Sequence, residues 1–200
     1  MGLIIGKHKE LWKNPRFILS SATAFLFLIG SLVINYIAGT YATQNASNAV
    51  SDIILDNIPK INTDFMFVQV FFMFWFFVAF LLINEPKHIP FVLKSIALFV
   101  FIRSIFINLT NIGPYPDNDF LASSGDFMKK FTFGGDLFFS GHTGLPFLMA
   151  LIFWENKTLR VGFILTSIIF GTAVLLGHLH YSIDVFAAFF ITEGIYRIAE

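Results

Sequence analysis

Phe65 to Ile83 reads FMFVQVFFMFWFFVAFLLI, a run with one polar side chain, Gln69, and no charge. A helix needs about 20 mostly apolar residues to cross the hydrocarbon core of a bilayer, and this run is that long. Comparable runs occupy Phe17 to Gly39, Phe91 to Ile112, Leu159 to Leu176 and Tyr181 to Ile198. A shorter one, Gly141 to Trp154, is extended upstream by Phe138 and Phe139. None alternates with period two, which excludes a barrel, and in lipid only a helix otherwise satisfies its own backbone. The expected fold is an all-α integral membrane protein: a six-transmembrane-helix bundle, residues 1–200 forming one transmembrane catalytic domain.

Composition agrees. Hydrophobic residues make up 56% of the chain, charged residues 13%, 28 residues are Phe, and mean hydropathy is +0.74. A fold of this size cannot hide so much apolar surface from water. The first run exceeds a secretory h-region and no convincing cleavage site follows it, so it reads as a retained helix. Cysteine is absent, which removes disulfides and thiolate metal sites. A net charge of zero argues against nucleic acid as a partner.

Polar punctuation separates the runs. Asn84-Glu85-Pro86-Lys87-His88-Ile89-Pro90 is a tight turn because neither proline carries an N–H for a continuing helix. Glu155 to Thr158 is another, and two longer polar segments cover about 40–64 and 113–140. With six spans, one face of the membrane receives Lys7, Lys9, Lys13, Arg16, Lys87, Lys94, Lys157, Arg160 and Arg197. The other receives Lys60, Lys129 and Lys130. Positive charge stays inside, so both termini are expected in the cytoplasm, with segments 40–64, 113–140 and 177–181 facing outward.

Two outward segments concentrate ionisable groups at helix starts. The first runs Gly134-Gly135-Asp136-Leu137-Phe138-Phe139-Ser140-Gly141-His142-Thr143-Gly144, and the second Gly177-His178-Leu179-His180-Tyr181-Ser182-Ile183-Asp184. His180 and Asp184 stand four apart and share a helix face. A carboxylate on one ring nitrogen fixes the tautomer and raises the basicity of the other, which suits a nucleophile or base. His142 opens a helix whose free N–H groups and dipole favour a phosphate. Gly141 permits close approach, the Ser140 and Thr143 hydroxyls can donate to phosphate oxygens, and His142 can serve as general acid. Arg103 lies inside an apolar run, where it costs about 2.5–3.5 kcal/mol on insertion scales and so is expected to face an interior cavity. Its guanidinium suits bidentate phosphate binding. Asp136 either caps the next helix or orients His142, and His178 reads as an interfacial bystander. The phenylalanine stripes of the second and third runs read as lipid-facing or packing residues. Tyr115, Phe138 and Phe139 offer an aromatic surface for a quaternary amine, though such residues more often anchor at the interface.

These motifs resemble the lipid phosphatase/phosphotransferase (PAP2) superfamily, and within it the sphingomyelin-synthase-like branch. The likeness rests on Gly135-Asp136-x-x-x-Ser140-Gly141-His142-Thr143, His180-Tyr181-Ser182-Ile183-Asp184 and Arg103-Ser104-Ile105 followed by Pro114, covering residues 100–197. It implies six helices, an outward site and a His–His–Asp triad. His180, assisted by Asp184, attacks phosphorus to form a phosphohistidine, and His142 serves the leaving group. Arg103, Ser140, Gly141 and Thr143 bind the phosphate, with Asp136 and Tyr181 in support. Gly134 stands where the branch has cysteine. Val174 stands where the ordinary phosphatases have their second arginine, which favours the transferase-like branch and leaves phosphate to Arg103, backbone amides and Lys129 or Lys130.

The expected function is therefore transfer of a phospho-head-group from a phospholipid donor to a lipid hydroxyl such as ceramide or diacylglycerol, with no cofactor and no metal. Water as acceptor makes the same site a phosphatase or phospholipase-C-like hydrolase. A zinc ion on the histidines and an aspartate is a further option. The competing class is a non-enzymatic transporter with the same groups as a proton or anion relay; against it, the charges gather at one surface and no inverted repeat is visible.

Overall fold

The computed structural model describes residues 2–116 and 134–200, with the side chains of 2–5 excepted. Lys129 and Lys130 lie outside the described residues. The described secondary structure is helical: α1 (Gly2–Leu11), α2 (Pro15–Gln44), α3 (Phe71–Asn84), α4 (Ile89–Leu109), α5 (Gly141–Ile152), α6 (Lys157–Leu176) and α7 (Ser182–Ala199). Every apolar run read from the sequence contains a helix, but Phe138 and Phe139 do not extend α5, which starts only at Gly141 after a non-helical stretch. The starts follow from local chemistry. Asn14 caps α2 by accepting from the Arg16 N–H (3.0 Å) ahead of Pro15. Asn156 caps α6 through the Leu159 N–H (3.1 Å), the short-range acceptor role that suits Asn at this position. A π-helical turn, Met66–Val70, leads into α3.

Among the described residues, four helices are long and apolar enough to cross a membrane: Pro15–Gln44, Met66–Asn84, Pro86–Leu109 and Lys157–Leu176. Of the six expected spans, these four meet that requirement. At about 1.5 Å per residue, the 12 residues of α5 rise only about 18 Å, short of the ~30 Å core. Helix α7 is longer but carries Asp184, Glu193 and Arg197. The surface is inverted relative to a water-soluble protein. Phe25, Leu26, Phe27, Phe72, Met73, Phe76, Phe80 and Phe190 are all more than half exposed, as in a protein whose solvent is hydrocarbon.

Small residues set the packing. Along α2 the buried positions Ser21, Ala24, Ser31, Ala38 and Ala42 fall on one stripe at steps of three, four and seven. That stripe lets α2 lie along α4, its main partner, by the close approach that drives helix association in lipid. Gly144 does the same inside the bundle: a Cβ there would meet the Phe99 ring at 2.6 Å and Thr192 Oγ1 at 2.8 Å. Helix α5 packs on α6 and α7, and α7 on α4. Phe74, Phe99, Phe139, Phe163 and Phe170 form the centre of the core.

Chain direction positions the site. Helices α2, α4 and α6 end where the π turn, α5 and α7 begin. The Ser140 N–H donates to the Asp184 carbonyl at 3.0 Å, so the two motif segments are bonded to each other at one end of the bundle.

Candidate active site

At that end α7 begins at Ser182, with Tyr181 as N-cap. The Asp184 carboxylate turns back to accept from the Tyr181 N–H at 3.0 Å through Oδ2, a first-turn arrangement that favours a negative charge. The same Oδ2 stands 3.3 Å from His180 Nδ1. A carboxylate only accepts here, so Nδ1 carries the proton and Nε2 keeps its lone pair. Both side chains are buried.

His142 sits in the first turn of α5, whose N-cap is Ser140, accepting from the Thr143 N–H at 3.4 Å. Its ring lies between two phenylalanines: Phe67 at 4.0 Å between centroids and 18° between planes, and Phe71 at 4.0 Å and 33°. His142 Nε2 is 2.9 Å from the Phe67 carbonyl. Since a carbonyl can only accept, Nε2 carries the hydrogen and Nδ1 is left to exchange protons. Phe67 belongs to the π turn, a widened helical geometry that recurs at functional sites.

Arg103 is buried in α4 and turned inward, as its cost in lipid requires. Its Nε donates to the Phe139 carbonyl (2.7 Å), Nη2 to the Asp136 carbonyl (2.5 Å) and Nη1 to the Asp136 carboxylate (3.1 Å). Those bonds leave one N–H on each terminal nitrogen without a partner among the described residues, the two donors a phosphate would use. Asp136 is thus the partner of Arg103 and does not cap α5.

One cavity of about 310 Å³ joins these groups. Arg103, Asp136, Gly141, His142 and His180 line it together with Asn35, Phe67, Phe71, Trp75 and Phe99. A Cβ at Gly141 would lie 3.8 Å from Arg103 Nε, so the bare backbone of this turn faces the guanidinium. Ser140 and Thr143 are placed differently: both are fully buried and neither lines the cavity. Ser140 caps α5, the Thr143 hydroxyl is 3.3 Å from the Ser140 hydroxyl, and the Thr143 carbonyl accepts from Ser167 (2.6 Å). Tyr181 also stays outside the cavity, its hydroxyl donating to the Gly113 carbonyl at 2.9 Å.

Several residues here escaped the sequence reading. Asn35 is the lone carboxamide in the Phe17 to Gly39 run and lies 3.4 Å from the Ser104 hydroxyl; its isolation was the available signal. The aromatic wall comes from the run read as lipid-facing or packing. Tyr115, Phe138 and Phe139 do not line the cavity. His178, read as interfacial, is buried edge-on to Tyr115 (5.0 Å) with a left-handed backbone, φ 53°, a region uncommon for side-chain-bearing residues.

A family model described as PAP2 superfamily C-terminal matches residues 134–200. The matched stretch contains both motif segments and excludes Arg103, Asn35 and the π turn. No curated protein and no solved structure matches the chain.

Proposed function

We propose that the chain is a six-helix membrane lipid phosphotransferase that moves a phospho-head-group from a phospholipid to a lipid hydroxyl, in the manner of the sphingomyelin-synthase-like branch. In this reading α5 and α7 complete the bundle, residues 1–200 act as one domain, and the cavity opens at the extracytoplasmic face. One observation carries it: two imidazoles and an arginine share a cavity, and the imidazole of His180 has a carboxylate on its far nitrogen.

The donor phosphate sits against the spare N–H groups of Arg103 and the first-turn backbone of α5 at Gly141. Ser140 and Thr143 support it by fixing that turn. His180 Nε2 attacks phosphorus, and the bond to the lipid oxygen breaks. His142 enters this half of the reaction protonated on both nitrogens, and the departing oxygen takes the Nδ1 proton, giving a neutral alcohol, a neutral His142 and a head group carried on His180. Asp184 stabilises the charge on the His180 ring. In the second half His142 removes the proton from the acceptor hydroxyl, whose oxygen attacks phosphorus and releases His180. Positioning and charge stabilisation dominate such reactions, and the walls of the cavity supply both.

Purified protein given labelled phospholipid, with and without ceramide or diacylglycerol, tests the proposal. A new labelled lipid that appears only with the acceptor is the expected result. Soluble phospho-head-group without a new lipid would make water the acceptor and the protein a hydrolase. Undiminished turnover by His180→Ala would remove the enzyme reading and favour a transporter.

A further inference from the structure

Between α2 and the π turn runs a segment that belongs to neither motif and lies outside the stretch matched by the family. It nevertheless holds the start of α7. Asp52 is buried there, 7% exposed, and its carboxylate is divided between two tasks. Oδ1 accepts from the N–H groups of Ile54 (2.9 Å) and Leu55 (3.1 Å), an Asx-type turn that shapes the segment locally. Oδ2 accepts from the N–H of Ser182 at 2.6 Å, across 130 positions of sequence.

Ser182 is the first residue of α7, between His180 and Asp184. Two successive N–H groups at this helix start, those of Tyr181 and Ser182, are therefore each taken by a carboxylate. One comes from α7 itself and the other from the remote segment. The same segment is tied down on both sides. The Val50 N–H donates to the Tyr181 hydroxyl (3.2 Å) and the Ile61 N–H to the Leu176 carbonyl (2.8 Å). Leu55 is buried against Leu137 and Tyr181.

We propose that Asp52 is a positioning residue for the His180–Asp184 pair: by gripping the Ser182 N–H it sets where α7 begins and hence where the His180 ring meets the cavity. The inference rests on the proposed function in that His180 is taken as the nucleophile. Asp52 does not line the cavity and touches no reacting atom. An ångström of drift in His180 is enough to matter, because misplacement on that scale costs a reaction about 100-fold.

Two measurements on the full chain test it. In the transfer assay, kcat of Asp52→Ala and Asp52→Asn is expected to fall roughly 10- to 100-fold with KM unchanged. Asparagine has one acceptor where the site uses two, so it cannot serve both the local turn and Ser182. Asp52→Glu, which restores the carboxylate, should recover part of the loss. In parallel, ¹⁵N-histidine spectra at fixed pH, with His180 assigned from His180→Ala, should show the His180 ring signals moved in Asp52→Asn while those of His8 and His88 at the other end stay. Unmoved His180 signals in a folded variant, or a lower yield of folded protein with unchanged kcat per folded molecule, would overturn the inference. Wild-type protein that turns over no lipid would instead defeat the proposed function, and the spectra would still decide whether Asp52 places the ring.

Discussion

The two histidines of the cavity are held in opposite ways. His180 is oriented by a carboxylate four residues away, on the first turn of the helix that follows it. His142 is oriented by a carbonyl 75 residues away and by two phenylalanine rings from a different helix. Local restraint is written in spacing and survives translation of a helix as a unit. Remote restraint depends on how α3 seats against α5, so it couples the acid–base group to the packing of the whole bundle.

Substitutions can break or sharpen that contrast. His180→Ala should have the largest effect, lowering lipid turnover roughly 10⁴-fold or more if the ring carries the phosphorus; a fold-intact variant with near-normal rate would end the assignment. Asp184→Asn should follow, at roughly 10³-fold in kcat, because the amide no longer holds the tautomer with Nε2 free. Phe71→Leu probes the remote restraint. It removes one face of the His142 sandwich and should reduce kcat about tenfold with KM little changed, at a cost of about 1 kcal/mol in stability measured by thermal unfolding. An equal rate would show that the stacking only packs. Gly144→Ala should leave the chemistry alone and destabilise by about 1–3 kcal/mol, since its Cβ would overlap the Phe99 ring.

The smallest effect concerns acid. Burial raises the Asp52 carboxyl, but backbone hydrogen bonds from Ser182, Leu55 and Ile54 outweigh this and hold it below its ordinary value of 3.8. A carboxyl depressed in the folded state adds stability that is complete above its unfolded pKa and is lost as pH falls through the lower folded value. Asp52→Asn should therefore narrow the stability difference between pH 6 and pH 3, read from unfolding midpoints. An unchanged difference would mean that the charge at Asp52 is not linked to folding.

The sequence was most legible where the restraint is local. The apolar runs appear as helices within a few residues, because length and hydropathy settle that without tertiary information. The four-residue spacing of His180 and Asp184 does bring them together, but not on a shared helix face: His180 precedes α7, and Asp184 reaches back to it from the first turn. Arg103 had to turn inward because lipid penalises its charge. Legibility failed where distant segments meet. The hydroxyls of Ser140 and Thr143 look like phosphate donors in a string of letters, yet capping takes the first and packing hides the second. Nothing in FMFVQVFFMFW separates the phenylalanines that touch His142 from those that face lipid, since a π turn rotates the face at that point. Asp52 sits in an undistinguished polar segment and acquires its partner only when α7 arrives. Six spans were expected from hydropathy, and among the described residues four helices meet the requirement: α5 is short because it starts only after the non-helical stretch that places Asp136 and Phe139 on Arg103, and α7 carries Asp184, Glu193 and Arg197.

The proposed reaction turns on a covalent adduct at one nitrogen. Purified protein should be quenched during turnover of a phospholipid labelled at phosphorus, digested under alkaline conditions and mapped by mass spectrometry. The expected result is a labelled peptide modified at His180, lost in His180→Ala and slower to form in His142→Ala. Label on another residue, or steady turnover with no protein-bound phosphorus at any time point, would contradict it.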